Sequence, residues 1–165
     1  MASGLIFDPY ALLRVAPLAS STGSLVHATV ELTVNSAFLL PSLRKQSDAL
    51  LPAWYGNVFY REVVVVVALN LTSLTSAIAN IYLAPDSRPW PLSRTTFYWL
   101  GLMGTIGHML FVPLVAPPIQ RMVEDTKAEN EASKEMDTWL SLHRVRMLVA
   151  DLPAWIAFVG SALVV

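Results

Sequence analysis

Cysteine is absent from this chain, and its absence excludes disulfide frameworks, thiolate metal sites, cysteine nucleophiles and haem-attachment motifs. Charge is scarce: 14% of the 165 residues are Asp, Glu, Lys or Arg, against about 25% in soluble domains. Nor does one sign prevail. A net charge of −1 gives nucleic acid nothing to bind. Glycine-rich phosphate loops, nucleophile elbows, dinucleotide fingerprints and internal repeats are missing. So is a signal peptide, because Asp8, Pro9 and Arg14 interrupt the N-terminal region where its apolar core would lie; the first span is expected to act as the insertion signal. No linker-like stretch divides the chain, which reads as one domain over residues 1–165.

What remains is apolar. Hydrophobic residues make up 55% of the chain and the mean hydropathy is +0.52, the composition of a membrane protein. Four stretches have the ~20 residues a bilayer core requires: about 18–40, 63–83, 95–116 and 138–160. Met1 to Pro17 reads as an interfacial approach segment. The second span opens on five valines, a strand-like run in water. In lipid a lone strand leaves its backbone groups unsatisfied and a helix does not, so helix is expected. Its hydroxyl and amide residues (Asn70, Thr72, Ser73, Thr75, Ser76, Asn80) suit close helix–helix contact. Gly101, Gly104 and Gly107 recur at every third position of the third span. Gln46 to Glu62 reads as a polar loop whose aromatics (Trp54, Tyr55, Phe59, Tyr60) form an interfacial belt. Ala84 to Arg94, rich in proline, reads as a rigid turn, and Gln120 to Thr138 as a solvated charged helix or loop.

The predicted fold is therefore all-α, a four-transmembrane-helix up-down bundle. Loops one and three hold Arg44, Lys45, Arg61, Arg121, Lys127 and Lys134, against Arg14, Arg88 and Arg94 on the other side, which places both termini on the non-cytosolic face. An integral protein of the endoplasmic reticulum or a related endomembrane is expected. Oligomeric state is not readable.

Into this apolar chain fall a few ionisable groups, each costing roughly 2.5 to 3.5 kcal/mol inside a bilayer unless it has a polar place to go. Counted from the cytosolic ends of their spans, Glu31, Asn70, His108 and Arg146 lie about 10 to 14 Å deep, one residue from each helix. His27 and Asp151 fall deeper, at about 20 Å, and Asn35 and His143 form a shallower pair. His27, Glu31 and Asn35 share a face at spacings of four; His143 shares one with Arg146, and Arg144 shares another with Asp151. Arg146 and Asp151, five apart, are about 140° apart on an ideal helix and meet only if it is distorted. Pro153 can supply distortion by leaving the Val149 carbonyl without its usual donor.

These groups could simply fix helix register, Glu31 with Arg146 and Asp151 with a histidine. A carboxylate, an amide, an imidazole and a guanidinium from four helices nevertheless suit a pocket better, and intramembrane ionisable groups are functional candidates by default. The expected catalytic residues are His143, Arg146, Asp151, Glu31 and His108, with His27, Asn35, Asn70 and Arg144 contacting substrate. No metal site is expected, since the three histidines differ in depth by up to about 12 Å and show no metal-type spacing.

From Trp139 to Ala154 the chain reads W-x-x-L-H-x-x-R followed by apolar residues, and in this it resembles the anthrone oxygenase-like family of small fungal four-span membrane proteins, domain of unknown function 1772. LLPAWY before the second span and HMLFVPLVAPPIQR closing the third are similar too. The resemblance implies a secondary-metabolite enzyme that oxidises an aromatic anthrone with O₂ as co-substrate and no organic cofactor, and it points to His143 and Arg146. Such chemistry needs a base for the acidic C–H (Asp151, Glu31 or His108) and a group to hold the oxyanion (Arg146 or His143). The same residues would serve a cofactor-free isomerase, cyclase or epoxide-opening enzyme of polyketide or terpenoid biosynthesis. A non-catalytic membrane scaffold is the alternative from another class. The expected partners are the bilayer and a lipophilic small molecule.

Overall fold

A backbone in lipid must satisfy its own hydrogen bonds, and the computed structural model of the chain, which describes residues 8–83, 93–124 and 131–164, is helical almost throughout, with no strand among those residues. Helix α1 (Pro9–Ser36) starts where the Asp8 carboxylate accepts from the Tyr10 amide at 2.9 Å and Pro9 takes the first turn. A short 3₁₀ turn, Ala37–Leu39, follows. Helix α2 (Arg44–Leu83) runs 40 residues. Helix α3 (Arg94–Leu110), capped by Ser93 on the Thr96 amide, breaks at Phe111 and resumes as α4 (Val112–Glu124). Helix α5 (Ala132–Arg146) passes through a π-helical turn, Met147–Asp151, into α6 (Leu152–Leu163).

Three of these rods are long and apolar enough to cross a membrane: Arg44–Leu83, Arg94–Glu124 and Ala132–Leu163. Helix α1 has the length, at 28 residues, but its inward face is polar, with Ser20, Ser21 and Asn35 buried.

Two sequence expectations change. Gln46 to Glu62 is the first half of α2, not a loop. Its residues Ser47, Leu51 and Tyr55, four apart, are all buried, the last two against Ile119, Met122, Met136, Trp139 and Leu140, and this burial outweighs the local polarity that suggested a loop. The third span continues past Pro117 and Pro118 to Glu124, with Met122 fully buried. The charged run from Gln120 is thus ordered helix on both sides of residues 125–130, which fall outside the described residues, as do the proline turn at 84–92 and residues 1–7 of the approach segment.

Two apolar clusters fill the bundle. One joins Leu51, Tyr55, Met122, Met136, Trp139 and Leu140. The other joins Ala77, Ile81, Tyr98, Leu102, Ala154 and Phe158. His27, Glu31, Glu62, His108, His143, Arg146 and Asp151 fall between them along their rods, so this polar layer has an apolar plug at each end. Close approach of α3 to the last rod depends on glycine. A Cβ at Gly104 would stand 2.7 Å from that of Ala154 and 3.0 Å from the Ala150 carbonyl oxygen, and one at Gly101 would overlap the Phe158 ring. Outside, Val26, Val30, Val64, Met103, Leu148 and Ile156 are exposed, a surface that water would not favour and lipid would.

Candidate active site

The π turn assembles the site. In an α-helix, residues five apart diverge; a turn closed by i→i+5 bonds returns them to one face. Here the Leu152 amide donates to the Met147 carbonyl, five residues back, and Pro153 offers no amide to Val149. Arg146 and Asp151 consequently meet, Arg146 Nε donating to Asp151 Oδ2 at 3.3 Å. The same turn separates Asp151 from Arg144, which is exposed on the outer side of α5. Their expected common face does not exist, because the extra residue in the turn rotates Asp151 inward.

From this pair a chain of hydrogen bonds crosses the bundle. Asp151 Oδ1 lies 2.6 Å from His108 Nδ1, a carboxylate that can only accept, so Nδ1 carries the proton. His108 Nε2 is then free to accept, and Asn70 Nδ2 lies 3.5 Å from it while also donating to the Val66 carbonyl at 2.9 Å. On the other side Arg146 Nη2 stands 3.0 Å from His143 Nδ1, and His143 Nε2 stands 2.9 Å from the Ala28 carbonyl oxygen. A carbonyl requires the proton on Nε2, and Arg146 requires the lone pair on Nδ1, so His143 is a neutral imidazole of fixed tautomer. Its ring rests on Trp139 with centroids 4.9 Å apart.

The result is one guanidinium balanced by one carboxylate, flanked by two imidazoles. His143, Arg146, Asp151, His108 and Asn70 are each no more than 7% exposed, so the network is packed rather than hollow. It opens at Glu31, whose Oε2 is 3.9 Å from His143 Nδ1, and continues to His27 and, from α2, Glu62, the most exposed of the three. A shallow groove of about 460 Å³ lined by Leu13, Leu71, Thr72, Thr75, Ser76 and Ala79 lies elsewhere, on the α1–α2 side near the second apolar cluster.

The structure therefore brings together seven of the nine expected residues: His27, Glu31, Asn70, His108, His143, Arg146 and Asp151. Arg144 stands apart, and Asn35 is buried but makes no hydrogen bond to the network among the described residues. Of the register-fixing pairs considered above, Asp151 does take a histidine, His108, whereas Arg146 takes Asp151 rather than Glu31. His27 faces Glu62, a partner the sequence did not suggest. Depth counts assume straight rods with known ends, and neither holds for a 40-residue α2 or a rod with a π turn. Glu62 was missed because its segment read as a loop; the four-residue recurrence Ser47–Leu51–Tyr55 is the signal that extends the helix toward it. The Ala28 carbonyl leaves no trace in sequence.

Chemically, His108 held by Asp151 is oriented as a proton acceptor at Nε2, and Arg146 is a fixed cation beside it. This is an all-helical protein with membrane-length helices around a buried, charge-balanced acid–base network. It belongs to a family of fungal proteins that includes Epoxidase pydX of Acremonium sp, to which it is 33% identical over 161 residues, 96% of this chain and 97% of that protein. Epoxidase gkaX of Penicillium citrinum is 31% identical, covering 92% of each chain, and Probable epoxidase scpX of Mollisia scopiformis 30%, covering 92% of this chain and 94% of that one. No family model matches the chain. No solved structure matches it either.

Proposed function

We propose that the protein is a membrane-embedded enzyme of fungal secondary metabolism that inserts oxygen from O₂ into a lipophilic substrate, forming an epoxide at a carbon–carbon double bond. The observation that carries this reading is end-to-end similarity to proteins named epoxidases, together with a relative named Oxaleimides biosynthesis cluster protein N, 26% identical over 92% of this chain. The balance of the reaction is alkene plus O₂ plus two electrons and two protons, giving epoxide and water. A two-electron donor is therefore required, and protons must reach the oxygen atom that leaves as water. His108, oriented by Asp151, is placed to take up such a proton at Nε2 and then pass it on, and Arg146 to stabilise negative charge on oxygen beside it.

The finer reading from the Trp139–Ala154 motif is anthrone oxidation, in which anthrone plus O₂ gives anthraquinone plus water without an added donor. There His108 would take the C–H proton and Arg146 would hold the oxyanion. Helix α1 is proposed as a fourth span: at 28 residues it is about 42 Å long, more than the ~30 Å hydrocarbon core, and Val26, Val30 and Val34 line its outward face. Both termini then face the non-cytosolic side of an endomembrane, with Arg44, Lys45, Arg121 and Lys134 at the cytosolic end.

Removing the gene from the producing fungus, and restoring it under heavy-isotope O₂, tests the reading. The expected result is accumulation of an unsaturated compound lighter by one oxygen atom, and one labelled atom in the restored product. Unlabelled product, or an unchanged extract, would refute oxygen insertion. Purified protein given emodin anthrone separates the two reactions: faster quinone formation supports the anthrone reading, and no acceleration refutes it.

A further inference from the structure

We propose that His27, Glu31 and Glu62 bind a divalent first-row metal ion at the open end of the buried network. Helix α1 contributes His27 and Glu31, four residues apart on one face, and α2 contributes Glu62. His27 Nε2 lies 3.2 Å from Glu62 Oε2 and 3.8 Å from Glu31 Oε2, and one donor atom from each of the three residues falls within 4.8 Å of the other two. Donors about 2.1 Å from a shared ion stand roughly 3.0 to 3.4 Å apart, so one carboxylate rotation closes the set.

Two further observations point to a cation. His27 Nε2 is buried without a hydrogen-bond partner, because Glu62 approaches it out of line for one. Beyond the balanced Arg146–Asp151 pair, at the open end, the charges do not cancel. Arg146 is hydrogen-bonded to Asp151 and His143, so that, although its charge is felt at Glu31, it forms no ion pair with that carboxylate. Among the described residues no lysine or arginine pairs with Glu31 or Glu62. Two carboxylates and an imidazole facing one another at membrane depth are neutralised by a single divalent ion. Mixed N,O,O donors suit Mn²⁺ or Fe²⁺. Three protein ligands leave positions open on the ion, as oxygen chemistry requires; that use rests on the epoxidase reading, whereas binding does not.

The test uses the full chain purified in detergent, stripped with EDTA and titrated with Mn²⁺, free ion being read by electron paramagnetic resonance. One Mn²⁺ per chain is expected, weakened by at least about tenfold in His27→Ala and in the isosteric Glu62→Gln, a loss typical even of outer partners of a metal site. Binding should be unchanged in Arg144→Gln, which alters charge on the outer face. Helical circular dichroism confirms that each variant is folded. No binding by the parent chain, or equal binding by Glu62→Gln, would overturn the proposal. Intact binding with no oxygen insertion in the fungus would refute the epoxidase reading alone, and the converse result would refute only the metal site.

Discussion

Asp151→Asn is the change with the most to reveal, because one carboxylate holds both His108 and Arg146. Its side chain is 5% exposed and accepts at 2.6 Å and 3.3 Å, both charge-assisted bonds. An amide of the same shape leaves the guanidinium of the buried Arg146 without its counter-charge. Breaking a buried pair from one side costs about 3 to 5 kcal/mol. At about 2 to 4 °C per kcal/mol for a chain of this size, the melting temperature in detergent should fall by roughly 6 to 20 °C. Activity should fall further than stability explains. The amide can turn its NH₂ toward His108 Nδ1, moving the imidazole proton to Nε2 and removing the acceptor, an inversion that costs on the order of 10⁴ in rate in the best-known Asp–His pair. A second variant separates the two effects. Asp151→Asn combined with Arg146→Met removes both charges, and since deleting a whole buried pair is often near neutral, most of the lost stability should return while activity does not. Melting followed by circular dichroism and initial rates of oxygenated product on the same preparations decide it. Equal instability of the single and double variants, or activity of Asp151→Asn within about tenfold of the parent, would refute the reasoning.

Arg146→Lys keeps the charge but cannot serve His143 Nδ1 and Asp151 Oδ2 together, since those bonds leave different nitrogens of a rigid fork; initial rates should drop by at least about tenfold, the equivalent of 1.4 kcal/mol. Gly104→Val places branched carbons against the Ala150 carbonyl and Ala154, so it should destabilise by about 1 to 3 kcal/mol. It should also displace the π turn, reducing turnover although glycine brings no side chain to the network. Gly107→Ala, whose added carbon meets only the Ala150 Cβ at 3.6 Å, should leave both the melting temperature and the rate close to the parent's.

Composition and the spacing of apolar stretches were enough to specify a helical chain with helices long and apolar enough to cross a membrane, since lipid allows few other backbones and would leave the valine run no choice but helix. Helical periodicity placed His27 with Glu31, and His143 with Arg146, because those relations stay inside one regular helix. The motif resemblance named the anthrone oxygenase-like family, whereas the relatives the chain matches are fungal proteins named epoxidases. Pairing across helices was decided only in three dimensions. Arg146 reaches Asp151 because a π turn adds one residue between them, and His108 reaches Asp151 because Gly104 lets two backbones approach. Glu62 joins His27 because α2 extends inward through what looked like a loop. A sequence states which groups share a helix face; which faces meet depends on where rods begin, bend and touch, and those are properties of packing.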